Sequence, residues 1–273
     1  MKKKIFSIIM FLFGFILCVY PMIAAFADDI RQIGIIGTYE NKIMENEDLL
    51  IKEKNKAEEY NKALYEKNSI VINEENTEIL KEENYYNIYD ITGTGIMASI
   101  EIPCINVKLP VYHGTSEETL SSGAGHMEGT SFPIGGQNSH CVITGHRGLP
   151  DANLFLRLDE LEKGDLFYIS SGKDVLAYKV REIKIIEPED IKIMDIEEGK
   201  DLVSLVTCTP YGINTHRLVV TAERTKILKE KMETVNKTKA YKSSLRRIIM
   251  MFLPFILLLT GMVILISERK RRG

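Results

Sequence analysis

Cys208 closes an apolar run, Ser204-Leu205-Val206-Thr207-Cys208, and a Thr-Pro-Tyr-Gly turn follows it before Arg217, nine residues on. A thiol at a strand end is held by the ladder behind it and left accessible by the loop ahead, which suits a nucleophile. Cysteine attacks as thiolate, and near an ordinary thiol pKa of about 8.5 little is ionised at neutral pH, so a proton acceptor is needed. That acceptor must return the proton to a leaving amine, a task for imidazole. Of His113, His126, His140, His146 and His216, the best placed is His146. It follows a strand-like run in Thr144-Gly145-His146-Arg147-Gly148 and so projects from a strand end as Cys208 does. His216 is nearer in sequence, but it adjoins Arg217, and neighbouring side chains on a strand face opposite ways. Arg217 is then a fixed cationic donor for the oxyanion of acyl transfer, an interaction worth about 3 to 4 kcal/mol.

Short strands must hold these three residues. Runs rich in Val, Ile and Tyr occur at 97–102, 108–112, 140–144, 165–169, 175–186, 202–207 and 217–222, punctuated by turns such as Ser171-Gly172-Lys173-Asp174. Many short strands with little helix between them predict a closed barrel or a sandwich. Leu154–Leu161, with Asn153 as N-cap, reads as the one helical insertion. Residues 28–90 are rich in Glu, Lys and Asn with apolar residues at helical spacing, which predicts one or two amphipathic helices ahead of the barrel domain at 91–226.

Both ends of the chain are apolar. No residue from Ile5 to Ala27 is charged, and Lys2, Lys3 and Lys4 precede the run; a second run at 248–267 is followed by a basic tail at 268–273. Each is long enough to cross a bilayer, and retention of basic residues on the cytoplasmic side places the middle of the chain outside. Ala25-Phe26-Ala27 also fits a signal-peptidase site, so 1–27 reads as a membrane helix or a cleaved leader. Residues 227–247 form a Lys-containing linker to the second run. The net charge of −3, with no basic stripe in the middle of the chain, argues against a nucleic-acid partner. Cys104 and Cys141 need no disulfide in a core of this size, and the four cysteines show no metal-ligand spacing. No metal or other cofactor is expected.

Several segments resemble sortases, in sortase order. They are Gly114–Glu118, Gly123–Ser131, Ile143–Pro150, Ser204–Cys208 and Asn214–Arg217, and they are most similar to the class C, pilus-assembling branch. The resemblance implies a mainly β fold, an eight-stranded barrel with N-terminal helices and two terminal membrane-spanning helices. It implies a cysteine transpeptidase that cleaves LPXTG-type sorting signals, with Cys208, His146 and Arg217 as its catalytic residues. Thr207 and Ser204 would contact substrate; Ser204 stands where the family motif begins with Thr. The implied partners are the membrane and pilins or other surface proteins bearing sorting signals, with a pilin lysine amine as acceptor. Two other readings are attachment of surface proteins to a peptidoglycan precursor and a non-catalytic scaffold that binds pilins. Class C members carry an N-terminal lid with an Asp-Pro-aromatic triplet. The region around Ser69–Glu75 has none, so a lid here would present Ile72 or Asn73 to Cys208.

Overall fold

The computed structural model describes residues 2–67, 85–149, 152–226 and 260–261. The linker, most of the second apolar run, the basic tail and the expected lid residues Ile72 and Asn73 lie outside the described residues. Eight strands close into a barrel: β1 (Ile96–Ile102), β2 (Val107–His113), β3 (Ala124–His126), β4 (Ser139–Thr144), β5 (Leu166–Ser171), β6 (Asp174–Ile186), β7 (Asp201–Thr209) and β8 (His216–Thr225). Their order around the barrel is β1-β2-β3-β4-β7-β8-β6-β5, and β5 pairs with β1 to complete the ring.

Seven of these strands match the apolar runs read from sequence. The eighth, β3, has only three residues and carries too little alternation to register as a strand. It pairs parallel to β2 and antiparallel to β4, bridging them. The backbone approach there is so close that a Cβ on Gly125 would lie 2.3 Å from the Gly114 carbonyl oxygen. Only glycine fits.

The expected helix at Leu154–Leu161 does not form. A short 3-10 turn at Leu158–Glu160 is the only helical piece, and Leu154 has a φ of 36°. The Phe155 N–H donates to the His146 carbonyl oxygen at 3.1 Å, tying the segment back to the end of β4 instead of into its own helix. Its apolar side chains, Leu154, Phe155, Leu158 and Leu161, are buried all the same. Burial made the spacing look helical; the backbone bonds went elsewhere.

Ahead of the barrel, the apolar run and the first amphipathic stretch join into one 44-residue helix, α1 (Lys2–Glu45). At 1.5 Å per residue it is about 66 Å long. Its N-terminal half exposes Phe6, Phe13, Ile16, Leu17, Ile23 and Phe26. The described residues hold one helix long and apolar enough to cross a membrane, this one. Exposure all round separates it from the core helix of a soluble protein, which hides its apolar residues.

The C-terminal half of α1 and the following α2 (Glu47–Glu66) do not stand clear in solvent. Ile36, Tyr39 and Ile43 are buried, and the Tyr39 hydroxyl donates to the Met97 carbonyl at 2.8 Å. From α2, Asn61 Oδ1 accepts from the Phe132 N–H at 2.7 Å, and Tyr60 meets the Phe132 ring edge-on at 4.9 Å. Glu53 Oε2 accepts from the Tyr89 N–H at 3.0 Å. Both helices therefore belong to the barrel's core. Cys104 and Cys141 are buried and not joined by a disulfide.

Candidate active site

Register brings the three candidates together. β7 and β8 run antiparallel with Cys208 directly opposite Arg217, so both side chains project from the same face of the sheet. β4 runs parallel to β7, and their last named pair is Thr144 with Val206. Beyond it the two chains remain bonded: the Gly145 N–H donates to the Val206 carbonyl at 3.1 Å, and Thr207 Oγ1 donates to the Gly145 carbonyl at 2.8 Å. One step further, Arg147 donates to Thr209 Oγ1. His146 is thus held between two residues bonded to the neighbours of Cys208, which sets it abreast of the cysteine.

The shared face is the outer one. Leu205, Leu218 and Val220 belong to the main core. Val142, Val206 and Val219 lie on the other side with Ile186 and Met194, a small apolar cluster on the face that carries the candidates. Cys208, His146 and Arg217 are each half-buried at its rim. One Arg217 Nη donates to the Asn214 and His216 carbonyl oxygens at 3.1 Å each. Among the described residues no carboxylate pairs with Arg217, so its charge is kept for something else.

Gly145 has a steric task. A Cβ there would meet the Phe155 ring at 2.8 Å, and that ring is fully buried. The side chain after β4 must be absent for the 153–161 segment to close over the strand and set the position of His146.

Ser204 and Thr207 are corrections. Both were expected to contact substrate, yet they are 0% and 2% exposed. Ser204 Oγ bonds His140 Nε2 at 2.8 Å and Thr221 Oγ1 at 2.9 Å, inside the wall. Thr207 faces inward because it alternates with Cys208, and its hydroxyl goes to Gly145. Their role is to position the strands that carry the site.

The other histidines are occupied. His126 is fully buried, with Nδ1 2.7 Å from the Tyr85 hydroxyl and Nε2 2.9 Å from the Ser131 carbonyl; burial lowers its pKa to about 3. Burial likewise lowers that of His140, bonded to the Asp195 carbonyl and Ser204. His216 turns away to Glu187, at 3.2 Å. Missed in the sequence was Glu117, on the short helix α3 (Glu117–Ser122), whose Oε1 lies 3.2 Å from His146 Nε2. No local signal marked it; the contact spans 29 residues of chain.

A sortase-domain family model matches residues 100–225, which includes all three candidates. Sortase C1 of Streptococcus agalactiae is 40% identical, with a TM-score of 0.65 over 71% of this chain and 98% of that one. The chain belongs to the sortase family. A Clostridium perfringens sortase C solved with the C-terminal cell wall sorting motif is also 40% identical, with a TM-score of 0.58 over 71% of this chain and 100% of that one. These neighbours put this sortase with class C, within a family of cysteine transpeptidases. Sortase D of Bacillus subtilis is 33% identical over 113 residues, 41% of this chain and 54% of that relative, so the match spans about half the curated relative's length.

Proposed function

We propose that this sortase is a membrane-anchored transpeptidase in which Cys208, His146 and Arg217 carry the chemistry on sorting signals of LPXTG type. The observation that carries the reading is the register: Cys208 faces Arg217 across β7 and β8, and the bonds from Gly145 and Arg147 to β7 hold His146 beside it. A sorting motif bound by the Clostridium perfringens relative supports the choice of substrate.

In this reading the Cys208 thiolate attacks the Thr carbonyl carbon of the Thr–Gly bond. Negative charge gathers on the carbonyl oxygen, where the Arg217 guanidinium stabilises it more in the transition state than in the ground state. The C–N bond breaks, and His146 gives its proton to the departing glycine amine, leaving a thioester on Cys208. A pilin lysine amine then loses a proton to His146 and attacks the thioester carbon, and Cys208 leaves as thiolate. The product is an isopeptide bond between two subunits. The apolar N-terminal half of α1 spans the membrane, with a second span at 248–267, and the barrel works on the outer side.

The test is intact-mass spectrometry of the detergent-solubilised chain with a sorting-signal peptide and a lysine-bearing pilin. An acyl adduct that vanishes in Cys208→Ala and moves to the pilin lysine is the expected result. Transfer only to a cross-bridge amine would replace pilin joining with wall anchoring. Absence of any adduct from folded chain would overturn the transpeptidase reading.

A further inference from the structure

His146 Nε2 is cut off from solvent and has no aligned hydrogen-bond partner among the described residues. The oxygen it faces is Glu117 Oε1, 3.2 Å away, within ion-pair range but off the line of a hydrogen bond. A ring nitrogen shielded from water and left unbonded is costly. The Glu117 side chain is 81% exposed, which leaves its carboxylate room to turn toward the ring. Its helix, by contrast, is fixed in place. Ser116 Oγ caps it by accepting the Thr119 N–H at 3.2 Å, Thr119 Oγ1 donates to the His113 carbonyl at 3.4 Å, and Gln32 of α1 donates to the Ser122 carbonyl at 2.9 Å. The carboxylate is therefore delivered to the ring by an element tied at both ends.

We infer that Glu117 is the positioning residue of this site, accepting the His146 Nε2–H so that Nδ1 is the nitrogen that exchanges protons. The inference rests on the reading of His146 as the proton carrier. An imidazole takes its tautomer from whatever its other nitrogen bonds, and a base oriented by a third group is the general pattern of activated nucleophiles. With Nε2 keeping its hydrogen in both charge states, one proton moves at each step, and it is Nδ1 that carries it. The Cys208 Sγ proton goes to Nδ1 to form the thiolate, and Nδ1–H then protonates the departing glycine amine, which carries that proton away. The neutral acceptor amine gives Nδ1 a new proton as it attacks the thioester and Cys208 leaves as thiolate. Glu117 touches neither substrate nor sulfur; it acts through the ring.

The test compares wild type, Glu117→Ala, Glu117→Asp and Glu118→Ala as full chains in detergent. Glu118 shares the same exposed helical turn, so its variant removes one carboxylate with no contact to the ring. ¹⁵N-histidine labelling, with His146→Gln for assignment, reads the Nε2–H resonance without any substrate. The expected result is a downfield, slowly exchanging Nε2–H in wild type and Glu118→Ala that moves upfield or exchanges away in Glu117→Ala. The rate of Cys208 acylation then falls about ten-fold in Glu117→Ala, a part of the roughly 100- to 10,000-fold that general acid–base catalysis supplies. Glu117→Asp recovers part of that rate, and Glu118→Ala stays within about two-fold. A wild-type Nε2 without hydrogen, or a resonance unmoved in Glu117→Ala, overturns the inference, as does an equal loss of rate in the two alanine variants. Because the resonance needs no reaction, its failure is separable from a failure of acylation itself.

Discussion

Arg217 stands opposite Cys208, and among the described residues only carbonyl oxygens engage its guanidinium. A planar fork is required to reach both those carbonyls and a developing oxyanion, which lysine does not offer. Arg217→Ala should lower acylation by about 100- to 1,000-fold, and Arg217→Lys should recover little of it, read by the rate of adduct formation on Cys208. Ser204 calls for a different measurement. Its hydroxyl joins His140 to Thr221 inside the wall, so Ser204→Ala leaves a buried imidazole nitrogen without its partner. The expected cost is about 1–3 kcal/mol of stability, seen as a lower denaturation midpoint, while the folded fraction acylates at close to the normal rate. A large loss of rate at unchanged stability would return Ser204 to the substrate contacts.

At the scale of elements, the distance between β4 and β7 is what makes a site out of separate residues. Gly145 lets Phe155 lie over the end of β4, and a methyl group there would push on a buried ring at 2.8 Å. Gly145→Ala is expected to cost about 1–3 kcal/mol through overpacking and to lower acylation more than its effect on folding explains, because His146 moves with the strand end. Thermal denaturation and single-turnover acylation, run side by side, check both parts. α2 is docked in part by Asn61. Asn61 receives the Phe132 N–H and gives its own amide hydrogen to the Phe132 carbonyl, at 2.7 and 3.3 Å. Asn61→Ala should therefore loosen α2 at a cost of about 1–3 kcal/mol, detectable as faster amide exchange along 47–66 with the barrel strands still protected.

Over the whole molecule, acid should weaken the fold earlier than carboxylate titration would. His126 is buried neutral, and its pKa is lowered to about 3 by burial, against about 6.5 in an unfolded chain. The native state then binds fewer protons than the unfolded state, so stability rises with pH in this interval and drains away as pH falls below about 6.5. Between pH 6.5 and 5 one such group removes about 2 kcal/mol, and His140, shifted the same way, adds to it. Denaturant midpoints at pH 7.5 and 5.0 read the effect; a flat profile would mean that His126 is not held neutral.

The candidate residues and the family were legible in the chain itself. A thiol ending an apolar strand, an imidazole ending another and a guanidinium opening a third are local facts, set by residue type and period-2 alternation. The seven longer strands and the apolar N-terminal helix follow from the same short-range patterns. What the sequence did not contain was which strands become neighbours. β4 and β7 lie side by side although about 60 residues separate them, and β3 exists as a strand only because β2 and β4 flank it. The same closure decided which hydroxyls are buried, turning Thr207 inward and covering Ser204 on the opposite face between His140 and Thr221, drew the 153–161 segment back onto β4, and set Glu117 against His146. Pattern within a strand is decided by bonds a few residues long, whereas contact between strands is decided by closing the barrel, and only the folded chain carries that information.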